Sequence, residues 1–216
     1  MGMKQIFSRS SIAGLALLAS VAGVSAAPVT VNPGILNASA NSQAFYVFAD
    51  AMWISKLSVV GGLANFFAND GSNSPGDNVN LGNPAGNITF NLSTAEQNFL
   101  TLDQFFTGVA SPKDGFFHAV YSTNFADFGV GAIPGAAQAA MDAYALANPG
   151  TTFTFVGWED NSCNLGAGCP VLQSDYDYND LIFAFTNITV HTAPEPMTLA
   201  LLGAGLLGLG LRRRRR

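Results

Sequence analysis

Two largely apolar segments in the last third of the chain contain alternating hydrophobic and polar positions. They read F-T-F-V-G-W over Phe153–Trp158 and L-I-F-A-F-T-N-I-T-V over residues 181–190. Alternation with a period of two, in segments rich in aromatic and β-branched residues, is typical of β-strands with one buried face. The pattern therefore predicts two strands joined by a polar connection.

The remaining apolar pattern predicts further strands. Residues 44–60 are ambiguous between helix and strand, and their aromatic and β-branched residues favour strands. Residues 88–91 and 116–121 read as short strands. Residues 61–87 contain so many Gly, Asn and Pro residues that we predict turns without regular structure there.

Boundary residues predict two helices. Ser93 and Glu96 have the spacing of a capping box, whose side chains bond the first N–H groups of a helix, and they predict a helix over residues 93–106. Pro134 opens a second predicted helix, Gly135–Ala147, which an Asn-Pro-Gly sequence ends. The expected fold is mainly β, a sandwich-like single domain with one or two short helices. A signal helix and a C-terminal hydrophobic helix are expected besides.

Residues 1–26 have the three parts of a secretory signal peptide. Lys4 and Arg9 supply the basic start, an apolar stretch follows, and Val-Ser-Ala forms a small-residue cleavage site. We expect cleavage after Ala26, with Ala27 as the alternative. Because the apolar stretch is short for a membrane-spanning helix, a removable signal is favoured and export is expected.

The other end of the chain has a second tripartite layout. Pro194, Glu195 and Pro196 precede fifteen apolar or small residues, 197–211, and then five arginines. A helix of that length covers about 22 Å, less than the ~30 Å of membrane hydrocarbon, so it spans only marginally. The positive-inside rule places the arginines in the cytoplasm and the body of the protein outside.

This layout resembles the PEP-CTERM sorting signal of exopolysaccharide-producing Gram-negative bacteria, over residues 194–216. The resemblance implies recognition by an exosortase-type membrane protease and transient anchoring in the inner membrane. Cleavage near Pro-Glu-Pro and transfer to the cell surface or extracellular matrix would follow. The expected organisation is a signal peptide (1–26), a secreted β-rich body (27–193, with a motif core at 151–190) and a sorting segment (194–216).

The body between the two signals is strongly acidic. From residue 27 to residue 193 its only cations are Lys56 and Lys113, against thirteen Asp and Glu, a formal charge of −11, whereas the whole chain carries −5. Such a charge argues against nucleic acids and anionic membrane surfaces as partners. It fits a secreted cation-binding protein, although solubility alone is the alternative explanation.

Six oxygen-bearing side chains gather where the two predicted strands meet: Glu159, Asp160, Asp175, Asp177, Asn179 and Asp180. Carboxylates at close range repel each other, and Ca²⁺, which takes six to eight oxygen ligands, would relieve that repulsion. An EF-hand is excluded because Asp180 stands at the position of its Gly and the closing Glu is missing. In an extended segment Asp180 points away from Asp177, so a turn before Leu181 is needed to bring it back. Hydrogen bonds within the loop are the alternative to a cation.

The pairing of W-E-D (residues 158–160) with D-Y-D-Y-N-D-L-I-F (residues 175–183) resembles a family of bacterial secreted domains of unknown function. The resemblance covers about residues 151–190 and implies a β-rich fold with Ca²⁺ binding at the six side chains, and no established activity. A weaker similarity is a D-G-x-x-H pattern, Asp114 to His118, although we expect His118 to be a packed or edge residue.

Two smaller features concern loops. Asp70 and Asp77 lie in the turn-rich tract, where an exposed loop is favoured over a second cation site. Cys163 and Cys169 are the only cysteines, six positions apart. In an exported protein this spacing predicts a local disulfide, since no His lies nearby for a metal site and no paired base is evident for a nucleophile.

We therefore expect a Ca²⁺-stabilised structural or adhesive component of the cell surface or the exopolysaccharide matrix. A carbohydrate-binding module is the alternative, with an aromatic platform drawn from Tyr46, Trp53, Tyr121 and Tyr144. A glycan-cleaving enzyme is less favoured, because the carboxylates crowd one loop instead of facing each other across a cleft. No Ser-His-Asp set, metal-binding His cluster or phosphate-binding Gly loop stands out, so we expect no enzymatic activity.

Overall fold

The computed structural model describes residues 34–51, 53–95, 102–161 and 177–191. Twelve β-strands lie in this part of the chain, which confirms the expected mainly β fold. In chain order they are β1 (Ile35–Ala38), β2 (Gln43–Ala49), β3 (Ile54–Val59), β4 (Phe67–Ala68), β5 (Asn78–Asn80), β6 (Gly86–Ile88), β7 (Phe90–Ala95), β8 (Leu102–Phe106), β9 (Ala119–Ser122), β10 (Phe153–Trp158), β11 (Leu181–Thr186) and β12 (Ile188–His191).

The strands form three antiparallel sheets. The central sheet has the order β5-β2-β11-β10-β9, the outer sheet β4-β3-β7-β8, and the small sheet β12-β1-β6. Within the central sheet, β10 and β11 pair over their full length, with Trp158 opposite Leu181. The end of β10 and the start of β11 therefore lie at the same edge of this sheet.

The central sheet is covered on both faces. On one face its aromatic side chains pack against the outer sheet. The Phe183 ring stacks on Phe67 with 5.6 Å between ring centroids, and the centroids of Phe185 and Phe90 are 4.3 Å apart. On the other face it packs against α1 (Gly135–Ala147) and a short 3₁₀ helix (Phe125–Phe128). Burial on both faces explains why every residue of β11, including the apolar run L-I-F-A-F, is buried.

Most of the predicted elements are found. Residues 44–60 contain β3 and all but the first residue of β2, β10 matches its prediction, and α1 has the predicted bounds. The strand predicted over 181–190 is split by Asn187, whose φ of +56° breaks the extended backbone between β11 and β12. The tract 61–87 is more regular than predicted, because it contains β4, β5 and the start of β6.

The helix predicted over residues 93–106 is wrong. Ser93 lies inside β7, and β7 pairs with β8, with Leu92 opposite Phe105. Phe90, Leu92 and Thr94 alternate into the core. Burying two such apolar side chains is worth about 1.5–3 kcal/mol each, more than the ~1 kcal/mol of a helix cap, so the period of two outweighs the capping box.

Several predictions concern residues that the structure does not describe. These are the signal peptide, both cysteines, Asp175 and the C-terminal sorting segment. Within the described ranges, no helix has the length and apolar character needed to cross a bilayer.

Candidate functional site

Three of the predicted ligands meet at one edge of the central sheet. Glu159 and Asp160 follow β10, and Asp180 immediately precedes β11, so the pairing of Trp158 with Leu181 brings them together. One carboxylate oxygen from each of the three residues lies within 4.8 Å of the other two. We call Glu159, Asp160 and Asp180 the carboxylate cluster.

The cluster is poorly accessible to solvent. Glu159 is 2% exposed and Asp160 is 4% exposed, whereas Asp180 is partly buried. The backbone N–H of Asp160 donates to Asp180 Oδ2 at 2.8 Å. Because water cannot reach these groups freely, their charge must be balanced by neighbouring atoms.

The carboxyl group of Asp160 has three neighbours that define its state. The backbone N–H of Trp53 donates to it, the hydroxyl of Ser55 lies 3.5 Å from Oδ2, and the carboxyl of Asp180 lies beside it. Burial, and then the negative charge of Asp180, raise the pKa of Asp160 to about 8. Two ionised carboxyl groups this close repel each other, and a proton on one of them or a cation between them relieves that repulsion.

The turn that directs Asp180 depends on two residues. Tyr178 has a φ of +58°, and its hydroxyl donates to the carbonyl of Phe117 at 3.1 Å. At Gly157 in β10, a Cβ atom would overlap the Tyr178 carbonyl oxygen and the Phe128 ring. The loop therefore crosses directly over β10 at a position where only glycine leaves room, and this crossing places Asp180 beside Asp160.

Asp177 and Asn179 lie outside the carboxylate cluster. Asp177 is exposed, and its carboxylate accepts hydrogen bonds from the backbone N–H of Asn179 at 3.2 Å and from Asn179 Nδ2 at 2.6 Å. This local bonding is the arrangement considered above as the alternative to a cation. The structure thus brings together three of the six predicted side chains, while Asp175 is among the residues it does not describe.

A buried histidine lies behind the cluster. His118 is 1% exposed, its Nδ1 lies 3.0 Å from the carbonyl oxygen of Glu159, and its Nε2 lies 2.9 Å from Asp114 Oδ2. The imidazole stacks on Phe105 of β8 at 3.9 Å between ring centroids. His118 is therefore packed, as expected. The D-G-x-x-H pattern begins at Asp114 and ends at His118, so it contains both residues of this contact.

The outer sheet contributes polar residues that sequence reasoning missed. The hydroxyls of Ser55 and Thr94 lie 2.9 Å apart in the core, and Ser55 reaches Asp160. Asn69 fixes the same segment, since its side chain bonds both the Trp53 carbonyl and the Ser55 N–H at 2.7 Å. A signal in the sequence was Ser55, a polar residue at an inward-facing position of β3. Only the packing of the two sheets shows that it faces Asp160.

The turn-rich tract holds its carboxylates by local bonds. Asp70 accepts from the N–H of Ser72 at 3.0 Å, and the side-chain and backbone hydrogen bonds of Ser72 lower the pKa of Asp70. Asp77 accepts from the N–H of Ser74 at 3.0 Å. Across the described ranges, the carboxylate cluster is the only group of three or more His, Cys, Asp or Glu side chains with ligand atoms this close.

Of the four aromatic candidates for a glycan platform, Tyr46 is buried and the other three are half-buried. Tyr46 is 3% exposed and its ring contacts Phe67 and Phe183 edge to face. Tyr144 packs against Phe45, and Trp53 and Tyr121 are half-buried. Tyr46 therefore offers no face to a sugar ring.

Comparison with known proteins identifies the C-terminal segment. A family model for the PEP-CTERM protein-sorting motif matches residues 192–215, which confirms the predicted sorting signal. Such a signal implies an exported protein that is anchored transiently in the membrane at its C-terminus and processed by exosortase, a membrane protein. No curated protein and no solved structure matches the chain significantly.

Proposed function

We propose that this exported protein binds Ca²⁺ at the carboxylate cluster and serves as a structural or adhesive component of the cell surface or extracellular matrix. The main observation behind the proposal is that the carboxylates of Glu159, Asp160 and Asp180 converge at a largely buried position. An exopolysaccharide is proposed as the partner because the sorting signal resembles that of exopolysaccharide-producing bacteria.

The spacing of the three carboxylate oxygens suits a calcium ion. Ca²⁺–oxygen distances are about 2.3–2.6 Å, so two ligands on opposite sides of the ion are roughly 4.6–5.2 Å apart. Oxygens within 4.8 Å of one another can therefore share one ion. An all-oxygen donor set favours Ca²⁺ or Mg²⁺ over zinc, and the demand of Mg²⁺ for octahedral geometry makes Ca²⁺ the better candidate.

The contacts of Asp160 suggest what the ion does for the fold. Asp160 and Asp180 belong to the ends of β10 and β11, whereas Trp53 and Ser55, which donate to Asp160, belong to the segment around β3 in the outer sheet. A cation at the cluster would bind both carboxylates and remove their repulsion. It would thereby stabilise the contact between the two sheets, and only in the folded state.

Calcium-dependent melting of the mature protein tests this proposal. At a free Ca²⁺ concentration about 100 times the dissociation constant, binding adds roughly 2.7 kcal/mol to the free energy of unfolding, which corresponds to a rise in Tm of about 5–10 °C for a domain of this size. Because extracellular sites often bind at ~0.1–1 mM, the titration should reach tens of millimolar.

Two matched variants locate the effect. Asp180→Asn removes a ligand charge and should abolish most of the Ca²⁺-dependent rise in Tm. Asp142→Asn makes the same charge change on α1, where Asp142 accepts a hydrogen bond from Gln138 at 2.8 Å, and should leave the rise intact. A wild-type Tm that is equal in EGTA and in saturating Ca²⁺ would refute the proposal.

A further inference from the structure

The peptide group between Glu159 and Asp160 is held from both sides. Its carbonyl oxygen lies 3.0 Å from His118 Nδ1, and its N–H donates to Asp180 Oδ2 at 2.8 Å. The orientation of this one peptide plane sets the directions in which the Glu159 and Asp160 side chains leave the backbone. It also sets the distance between Asp160 and Asp180.

His118 is itself fixed on three sides. Asp114 Oδ2 faces Nε2 at 2.9 Å, the Phe105 ring covers the imidazole face, and the backbone N–H of Glu159 donates to the His118 carbonyl at 3.0 Å. A carbonyl oxygen only accepts, so Nδ1 carries the hydrogen directed at Glu159. Asp114 is held in turn by the N–H of Phe116 at 3.0 Å.

We propose that His118, oriented by Asp114, is a positioning residue of the cation site that acts through the Glu159–Asp160 peptide group. This inference rests on the proposed Ca²⁺ site. The chain of contacts runs from Asp114 to His118, to the peptide carbonyl, and from the peptide N–H to Asp180. Hydrogen bonds in series polarise one another, and groups that orient ligands in this way commonly change metal affinity 10–100-fold when removed.

Two substitutions of His118 separate positioning from packing. In His118→Asn the amide nitrogen stands near the position of Nδ1 and keeps a donor for the Glu159 carbonyl. In His118→Gln the longer side chain reaches toward Asp114 and loses that donor. Both variants lose the stacking on Phe105, so their unfolding midpoints in EGTA should fall by similar amounts.

The readout is the Ca²⁺ dissociation constant of the mature protein, measured by isothermal titration. His118→Asn should bind within about threefold of wild type, and His118→Gln should bind about 10–100-fold more weakly. If wild type binds Ca²⁺ and His118→Gln binds equally well, or His118→Asn is as weak as His118→Gln, the positioning role is overturned while the cation site stands. If wild type does not bind, the proposed function fails and this inference fails with it.

If the His118 variants do not fold, a measurement on the wild-type protein tests the same inference. In ¹H–¹⁵N spectra recorded during a Ca²⁺ titration, the Asp160 amide and the ring nitrogens of His118 should shift with the same midpoint. Ring signals of His118 that stay unchanged while the Asp160 amide shifts would overturn the inference.

Discussion

Asp160→Asn should stabilise the protein in the absence of Ca²⁺, although it removes a proposed ligand. Asp160 is 4% exposed and contacts the carboxyl of Asp180. An Asn side chain has nearly the shape of a protonated Asp, and its oxygen can still accept from Trp53 and Ser55. Its amide is uncharged and can donate to the carboxylate of Asp180.

The magnitude follows from the pKa of Asp160, which burial and the charge of Asp180 raise from 3.8 to about 8. Since the folded protein keeps a proton that the unfolded chain releases, the contribution of Asp160 to stability is complete below pH ~4 and is lost as the pH rises to about 8. Each pKa unit corresponds to ~1.4 kcal/mol, so at pH 7 this loss has an upper limit on the order of 4 kcal/mol. Asp160→Asn should recover up to that amount.

Urea unfolding in metal-free buffer between pH 4 and pH 8 checks this expectation. The free energy of unfolding of wild type should fall as the pH rises, while that of Asp160→Asn should change less, so that the two curves separate toward pH 8. Adding Ca²⁺ should stabilise wild type only. A variant less stable than wild type at pH 7, or a difference independent of pH, would refute the account of the Asp160–Asp180 pair.

Three further outcomes are expected. Gly157→Ala should lower the free energy of unfolding by at least about 2 kcal/mol in urea titrations, because its Cβ would overlap the Tyr178 carbonyl; a neutral result would contradict the close crossing at β10. Cys163 and Cys169 should resist thiol labelling in the unreduced, denatured exported protein, and modification of both would exclude the disulfide. Mass spectrometry of the mature exported protein should find no peptide from residues 199–211, since we expect exosortase to cleave near Pro-Glu-Pro and release the tail; an intact tail would mean a permanent anchor.

Local sequence pattern was sufficient where an element is decided by its own residues. The period of two in Phe153–Trp158 and the Pro134 start of Gly135–Ala147 predicted β10 and α1 with the observed bounds. The same reasoning placed Glu159, Asp160 and Asp180 at the ends of two adjacent strands. The reason is that antiparallel neighbours bring the end of one strand beside the start of the next.

Local pattern failed where two local signals competed. Ser93 and Glu96 have capping-box spacing, yet Phe90, Leu92 and Thr94 also alternate with a period of two. Which signal prevails depends on whether another sheet is available to bury that alternating row. The pairing of β7 with β3 and β8, and the contact of Phe90 with Phe185, decide it in favour of a strand.

The surroundings of the carboxylate cluster were decided by tertiary structure alone. Asp160 meets Ser55 across 105 residues of sequence, and His118 meets Glu159 across 41. Such contacts depend on how the central and outer sheets pack, which no local pattern specifies. The positive φ of Tyr178 likewise sends Asp180 toward Asp160 and leaves Asp177 outside. Sequence therefore determined which side chains were available at this edge, and the fold selected which of them converge.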